Sequence, residues 1–277
     1  MADAGKPTDW IKMKIDPEIF EELGVRDPEE TKREMAITKK TRQINKELKA
    51  DPNNLDLQLE LATLMIDGAN YEEAIKMLIT IRNKRPKDAK VYKLLGTAYV
   101  LFNHEEEAML EMNRACELDP SDAENHFNLG GLYLLRDMYS NAATSFEKVI
   151  ELDPTDTTAY ANLAAAYDML KLYDKTIIAL RKVLMFTPED KELRAALSNA
   201  YFNAERYEEA IDAAQVVVEI DDKDPQAYCN LGSCYSVCNM IDDAISAFKR
   251  ATELAPDYSL PHTNLGTLYA NMGRPET

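Results

Sequence analysis

A leucine recurs at a fixed interval along about four-fifths of the chain. The interval is 34 residues, and the members are Leu61, Leu95, Leu129, Leu163, Leu197, Leu231 and Leu265. Four positions after each leucine stands a tyrosine, with Met65 replacing it in the first case. An i, i+4 spacing places two side chains on one face of a helix. The pattern therefore predicts an amphipathic helix that occurs seven times.

Two columns of small residues accompany the leucines. One follows each leucine directly: Ala62, Gly96, Gly130, Ala164, Ser198, Gly232 and Gly266. The other lies twelve residues further on: Ala74, Ala108, Ala142, Thr176, Ala210 and Ala244. Because small side chains let helices approach closely, we expect the two helices of a hairpin to cross here. A proline ends most hairpins, but Asp222 replaces it in the fifth, which predicts a longer or differently angled junction there.

This pattern resembles the tetratricopeptide repeat (TPR) family. The resemblance covers residues 55–277, as repeats 55–88, 89–122, 123–156, 157–190, 191–224, 225–258 and a partial repeat 259–277. It implies an all-α, right-handed superhelical solenoid of 34-residue helix-turn-helix repeats, with a concave groove lined mainly by the first helices. Stacking is also required physically, since each hairpin buries its apolar face only against its neighbours.

An asparagine precedes the leucine in four of the first helices. These residues are Asn128, Asn162, Asn230 and Asn264. An amide both donates and accepts hydrogen bonds, so a row of amides can bind an extended peptide backbone. The column resembles the asparagine ladder of O-linked N-acetylglucosamine transferases, which implies contact with peptide main chain. Glu60, Leu94 and Ala196 interrupt it, and the alternative is that asparagine is simply common at this repeat position.

The expected groove changes character along its length. Its predicted apolar residues are Leu59, Ile66, Leu94, Val100, Leu101, Phe127, Leu134, Leu135 and Met169, whereas later repeats present polar residues. We therefore expect an apolar anchor in repeats two to four, unless loops or the N-terminal segment cover it. The candidate peptide-binding set comprises the four asparagines together with Lys93, Leu94, Leu101, Phe127, Leu135 and Met169.

A second specialisation of the family is the carboxylate clamp for the acidic tails of heat-shock chaperones. Lys93 and Asn128 match two of its positions. Thr97 stands where the clamp has asparagine. Thr158 and Asn162 stand where it has lysine and arginine. Chaperone-tail binding is therefore disfavoured.

The first 54 residues lie outside the repeat register. We expect an N-terminal segment over 1–26 with a short helix, and a capping helix within 27–54 that begins near residue 28. Trp10, Ile11, Met13 and Ile15 form an apolar strip with two lysines. This strip is a candidate for docking in a groove of its own chain or of a neighbour, or for anchoring a cap on the first repeat.

The partial seventh repeat has a first helix and no second. We expect Leu265, Leu268 and Tyr269 to lack a partner there, which favours a fragment of a longer protein or a covering molecule. We therefore expect that the chain can form a homo-oligomer, through this end or through the N-terminal segment.

Net charge excludes some partners. The charge is −17, and residues 1–54 are nearly neutral, so the acidity belongs to the repeats. Nucleic acids and anionic membranes are poor partners for such a surface. No apolar run approaches the roughly 20 residues of a membrane span, and no secretory signal is recognisable. Four cysteines without a secreted-scaffold spacing favour a reducing, cytoplasmic compartment.

Catalytic chemistry has no support in the sequence. There is no phosphate loop, G-x-S-x-G elbow or H-E-x-x-H motif. His126 and His262 are expected to face the core, and His104 to be solvated. Cys229, Cys234 and Cys238 lack zinc-ligand spacing, so buried reduced thiols are expected. We predict no enzyme activity, no cofactor and no metal.

The leading functional prediction is a scaffold or assembly factor that binds an extended or amphipathic segment of a client protein. One alternative is the targeting region of a larger, glycosyltransferase-like enzyme whose catalytic domain lies outside this chain. Another is a self-assembling structural TPR protein.

Overall fold

The computed structural model describes the backbone of residues 28–273 and the side chains of residues 32–273, and this part contains fourteen α-helices and no strand. Helix α1 (Pro28–Ala50) precedes the repeats. The first helices are α2 (Leu55–Asp67), α4 (Ala89–Leu101), α6 (Ala123–Leu135), α8 (Thr157–Met169), α10 (Lys191–Asn203), α12 (Pro225–Val237) and α14 (Ser259–Asn271). The second helices are α3 (Tyr71–Lys84), α5 (Glu105–Leu118), α7 (Tyr139–Leu152), α9 (Tyr173–Leu184), α11 (Tyr207–Ile220) and α13 (Ile241–Leu254). The predicted all-α repeat solenoid is confirmed.

The helices belong to two compact units, Met1–Leu118 and Asp119–Thr277. In the first unit, α1 packs on the first repeat. Ile44 is buried with Leu61 and Leu64, and Ile37 and Leu48 border this cluster. The apolar face of α2 is therefore covered by α1.

A capping side chain fixes where each of the first helices α2 to α12 begins. The caps are Asn54, Asp88, Asp122, Asp156, Asp190 and Asp224, spaced by the repeat length. Each side chain accepts a hydrogen bond from a backbone N–H in the first turn of its helix, a group that otherwise has no partner in the helix. The cap therefore repeats with the same period as the core.

In the turn inside each hairpin, the residue after the C-cap has a left-handed backbone conformation and is not glycine. This residue has φ between 55° and 60° in all six hairpins: Ala69, Asn103, Asp137, Lys171, Glu205 and Asn239. The next residue returns a backbone hydrogen bond into the first helix, as when Met138 N–H donates to the carbonyl of Tyr133 at 2.8 Å. Backbone bonds thus close the hairpin even where the side chain disfavours this conformation.

The small residues lie at helix crossings, as predicted. A Cβ added at Gly96 would lie 2.4 Å from Cγ of Met112 on the paired helix, and one added at Gly232 would lie 2.8 Å from the ring of Phe248. Glycine at these positions is therefore a steric requirement of the crossing.

The structure contradicts a longer fifth junction and an uncovered seventh repeat. The fifth junction is not longer, since four residues separate α11 from α12 as in most junctions. Lys191 Nζ, at the start of α10, donates to Asp221 in this junction at 2.8 Å. Leu265 and Leu268 do not lack a partner, because both are buried with Phe248 and only Tyr269 is half-buried. The longer junction is the one after α9.

The proposed docking strip of Trp10, Ile11, Met13 and Ile15 lies outside the described residues. Between residues 28 and 273, no helix combines the length and the apolar character that crossing a bilayer requires.

Candidate functional site

Two of the predicted asparagines lie on neighbouring helices of the second unit. Asn128 is on α6 and Asn162 is on α8, at the same repeat position, and these two helices contact each other. Both side chains are half-buried. Neither amide forms a side-chain hydrogen bond within the part of the chain that the structure describes. Each therefore offers a donor and an acceptor to a ligand.

Apolar side chains lie two turns further along the same helix faces. Leu135 follows Asn128 by seven residues and is 59% exposed, and Met169 follows Asn162 by seven and is 55% exposed. Small residues, Gly131 and Ala165, stand between them. We call the surface formed by Asn128, Gly131, Leu135, Asn162, Ala165 and Met169 the α6–α8 face.

The middle of the α6–α8 face is open. A Cβ added at Gly131 would meet no heavy atom within 4 Å, whereas one at the adjacent Gly130 would lie 2.9 Å from the ring of Phe146. The two neighbouring glycines thus lie on opposite sides of α6. Gly130 lies at the crossing with α7, and Gly131 lies at the open surface. The α6–α8 face thus carries amides at one end, small residues in the middle and apolar side chains at the other end.

The other two asparagines form a second pair in a different environment. Asn230 on α12 and Asn264 on α14 are half-buried, and these helices also contact each other. Gln226 Nε2 donates to Asn230 Oδ1 at 2.8 Å, and Tyr258 Oη donates to Gln226 Oε1 at 2.5 Å. Asn230 therefore already has a protein partner. Exposed Ala196 on α10 separates the two pairs, so the column is not continuous.

The remaining predicted site residues are spread over both units. Phe127 packs edge-on against Phe146, with 5.6 Å between ring centroids, so it supports the core as well as the surface. In the first unit, Leu94 packs against the buried core and Leu101 is exposed. Lys93 is half-buried on the same helix.

The apolar stretch is smaller than the sequence suggests. Leu59 and Ile66, expected in the groove, are buried in the core of the first unit. They therefore contribute little exposed apolar surface.

A charged cavity of about 410 Å³ occupies the first unit. Its lining residues are Lys40, Asp56, Leu59, Glu60, Thr63, Leu64, Asp67 and Lys90. Lys40 of α1 pairs with Glu60 at 2.9 Å, and the Arg85 guanidinium lowers the pKa of Asp56. The repeat pattern could not reveal this cavity, because Lys40 lies outside the repeat register.

The histidines do not face the core as expected. His126 is half-buried and His262 is exposed. Their ring Nε2 atoms lie 3.1 Å and 3.0 Å from the carbonyl oxygens of Pro120 and Pro256. In the same repeat position, Tyr92 Oη donates to the carbonyl of Pro86 at 3.1 Å. The position selects a polar side chain that reaches the junction between repeats, which the sequence pattern alone did not show. His104 is exposed, as predicted.

The thiols are placed as expected for core residues. Cys116, Cys229 and Cys234 are buried and Cys238 is half-buried. Burial raises the pKa of Cys234 to about 11, which disfavours the reactive thiolate. Among the described residues, no three His, Cys, Asp or Glu side chains form a cluster able to hold a metal ion.

Tyrosine hydroxyls of the helix column link consecutive repeats. Gln215 Nε2 of α11 donates to Tyr235 Oη of α12 at 2.8 Å, and Tyr167 Oη of α8 donates to Glu147 of α7. Burial, together with Glu147, raises the pKa of Tyr167. Sequence reasoning assigned these tyrosines to packing and missed the hydroxyl partner. In both cases the hydroxyl partner is a polar residue 20 positions before the tyrosine, and this spacing could have predicted the bond.

Helical hairpins that recur at a fixed interval in both units define the chain as a helical-repeat protein. Models of the tetratricopeptide repeat match residues 45–99, 89–122, 123–156, 145–177, 177–226 and 225–258. The chain belongs to the tetratricopeptide repeat family. Its general function is accordingly that of a protein-interaction scaffold.

Solved structures of TPR proteins share the fold. YrrB, a TPR protein with an unusual peptide-binding site, is 22% identical with a TM-score of 0.61, over 68% of this chain and 96% of YrrB. The C-terminal part of a TPR protein from Cytophaga hutchinsonii is 19% identical with a TM-score of 0.67, over 83% of this chain and 95% of its own. MamA from Desulfovibrio magneticus RS-1 is 24% identical with a TM-score of 0.55, over 61% of this chain and 96% of its own. No curated protein sequence matches significantly.

Proposed function

We propose that the α6–α8 face binds an extended segment of a client protein. The side chains of Asn128 and Asn162 hydrogen-bond the client's main chain, and an apolar client side chain packs between Leu135 and Met169. The observation that carries this proposal is a pair of half-buried amides beside two exposed apolar residues, and neither amide has a hydrogen-bond partner among residues 32–273.

The physical chemistry of the face favours such a ligand. A half-buried amide gains most from a partner that supplies both a donor and an acceptor, and every peptide unit does so. Gly131 and Ala165 leave room for a backbone to pass close to the helices. The amides would bind any sequence, and the apolar pair would select a hydrophobic residue at one point. YrrB offers an analogy, since the same fold carries a peptide-binding site there.

We further propose that the chain acts without catalysis, as a scaffold or assembly factor. The histidines contact turns or solvent and three of the four thiols lie in the core, so neither type of group lies on the α6–α8 face. The glycosyltransferase-like alternative stays a prediction that the genomic reading frame around the chain would test. The cytoplasmic location likewise stays a prediction, supported by the free thiols.

The test begins with selection of peptides from a displayed random library against the full chain. Selected peptides should share a hydrophobic residue and should bind the Leu135→Ser/Met169→Ser variant at least about tenfold more weakly, since each buried apolar side chain contributes about 1.5 kcal/mol or more. The matched control is Leu152→Ser/Leu260→Ser, which changes two exposed leucines elsewhere in the second unit. Equal loss in both variants, or in neither, would reject the α6–α8 face as the binding surface.

A further inference from the structure

Helix α9 has an outer surface unlike that of the other second helices. Ile178 is 69% exposed, Met185 is 73% exposed and Phe186 is 51% exposed. Met185 directly follows the end of α9 and keeps a helical backbone, with φ of −67° and ψ of −26°. Ile178, seven residues before it, therefore lies on the same face. Lys182 lies between them, and Arg181 is exposed beside it. The result is an apolar stripe bordered by cations, in a protein with a net charge of −17.

Helix α9 lacks an ion pair that three other second helices have. On α5, α7 and α13, a basic residue pairs with a glutamate three positions later: Arg114 with Glu117 at 2.5 Å, Lys148 with Glu151 at 2.7 Å and Arg250 with Glu253 at 3.2 Å. Lys182 is the equivalent base on α9, but Met185 stands where the glutamate would be. Replacement of a solvated ion pair by an exposed methionine has no benefit for the isolated chain, and it suits a surface that is covered by a partner.

The position of Ile178 points to the partner. The equivalent positions of four other second helices hold exposed polar residues: Lys76, Thr144, Asp212 and Ser246. The fifth holds Leu110 of α5, which is 70% exposed. Exposed large apolar side chains at this position therefore occur on α5 and α9 alone among the described second helices.

The two helices carry opposite charge around these apolar residues. Helix α5 contains five glutamates and one arginine. Glu106, Arg114 and Glu117 lie on the face of Leu110, where Arg114 pairs with Glu117, and the helix is acidic overall. Helix α9 contains one aspartate against Lys175, Arg181 and Lys182. An apolar side chain flanked by acids and an apolar stripe flanked by bases are complementary both in packing and in charge.

We propose that α9 of one copy of this chain docks on α5 of a second copy. Leu110 packs between Ile178 and Met185 of the other copy, and Lys182 and Arg181 lie against Glu106 and Glu117. The contact is heterologous, because the two surfaces that meet are different. Since it involves a single pair of helices, it buries less than a standard interface and is reversible at roughly micromolar concentrations. The α6–α8 face takes no part in it.

The test is sedimentation of the full chain over a concentration series at low ionic strength. Wild-type protein is expected to associate reversibly, and added salt is expected to weaken the association by screening the charges. The decisive variant is Met185→Glu. It restores the residue found at Glu117, Glu151, Glu219 and Glu253, so it is compatible with the fold, yet it places an acid against α5. It should abolish association.

Charge reversal provides the control for specificity. Lys182→Glu and Glu117→Lys should each weaken self-association at least about tenfold, because each places like charges together. A mixture of these two variants should associate, since each supplies the surface that the other lacks. Lys148→Glu, at the position equivalent to Lys182 on α7, should associate like wild type. The proposal is overturned by a wild-type chain that stays monomeric, by a Met185→Glu variant that associates normally, or by a mixture that does not recover.

Discussion

Gly130 and Phe146 are matched in size across the crossing of α6 and α7. The ring of Phe146 occupies the space into which a Cβ at Gly130 would project, at 2.9 Å from two ring carbons. Gly232 and Phe248 repeat the relationship. Where the small residue is alanine, as at Ala62 and Ala164, the residue 16 positions later is leucine, and each pair shares a core cluster. In these four repeats a smaller residue on the first helix is matched by a larger one on the second, whereas Ser198 and Ala214 depart from the match.

Gly130→Ala should lower the free energy of unfolding by about 1–3 kcal/mol, the usual cost of overpacking. Adding Phe146→Leu should recover part of this loss, because alanine opposite leucine is the combination found at Ala164 and Leu180. Urea denaturation of the single and double variants measures both effects.

The adjacent glycine is the control. Gly131→Ala meets no atom within 4 Å and should stabilise the chain by up to about 1 kcal/mol, because alanine favours the helix more than glycine does. If the two glycine substitutions had the same effect, the size match across the crossing would not be a determinant of stability.

Glu205→Gly should raise the thermal midpoint. Glu205 has φ of 60° in the turn between α10 and α11, a conformation that costs a residue with a Cβ about 1–2 kcal/mol. Glycine avoids this cost, although its larger entropy loss on folding offsets part of the gain. Asn239→Gly, in the equivalent turn between α12 and α13, should gain less because asparagine tolerates this conformation. Calorimetry would contradict the account if the asparagine variant gained more.

Asn125→Ala should stabilise the second unit. The side chain of Asn125 is 2% exposed, and its amide nitrogen and oxygen have no hydrogen-bond partner within the described residues. A buried, unpaired polar group costs about 1–3 kcal/mol. Alanine already occupies the equivalent buried positions Ala159 and Ala227. A rise of about 1 kcal/mol in the free energy of unfolding is expected, and a loss would show that the amide is bonded in solution.

Arg82→Ala should destabilise the first unit, by an amount that depends on pH. Arg82 of α3 donates to the buried carboxylate of Glu111 on α5. Burial raises the pKa of Glu111, and Arg82 opposes that effect. Without the guanidinium, the buried charge is unpaired at neutral pH, at a cost of about 3 kcal/mol.

The sign of the pH dependence follows from the raised pKa. In the variant, the folded-state pKa of Glu111 lies further above the unfolded value of about 4.3, so the folded state takes up a proton first as the pH falls. The free energy of unfolding of the variant should therefore fall furthest below that of wild type near about pH 8, and less far near about pH 5.5. Arg82→Ala/Glu111→Gln removes the titrating group. In denaturation experiments, the Arg82→Ala substitution made in the Glu111→Gln background should therefore cost the same free energy at both pH values.

The fold could be predicted because its determinants are periodic. Leu129 and Gly130 belong to columns that recur every 34 residues, and their partner on the second helix lies at a fixed distance in sequence. The left-handed turn escaped prediction because Lys171 and Glu205 carry no sign of it; backbone hydrogen bonds to Tyr167 and Tyr201 impose it.

The site could be predicted only in part. The asparagine column and the exposure of Leu135 and Met169 followed from repeat position, since the face of a helix is set by sequence spacing. The bond from Gln226 to Asn230 and the burial of Leu59 did not, because both depend on neighbours that differ between repeats. The Arg82–Glu111 pair likewise joins positions that the columns leave variable.

The most direct measurement of the central claim is the affinity of a selected client peptide for wild-type chain and for Asn128→Ala/Asn162→Ala, by titration calorimetry. Asn83→Ala/Asn141→Ala, which changes two exposed asparagines on second helices, is the control. Loss of two amide hydrogen bonds of about 0.5–1.5 kcal/mol each should weaken binding at least about fivefold, with the control unchanged. Equal affinity of all three proteins would contradict the assignment of the α6–α8 face as the peptide-binding surface.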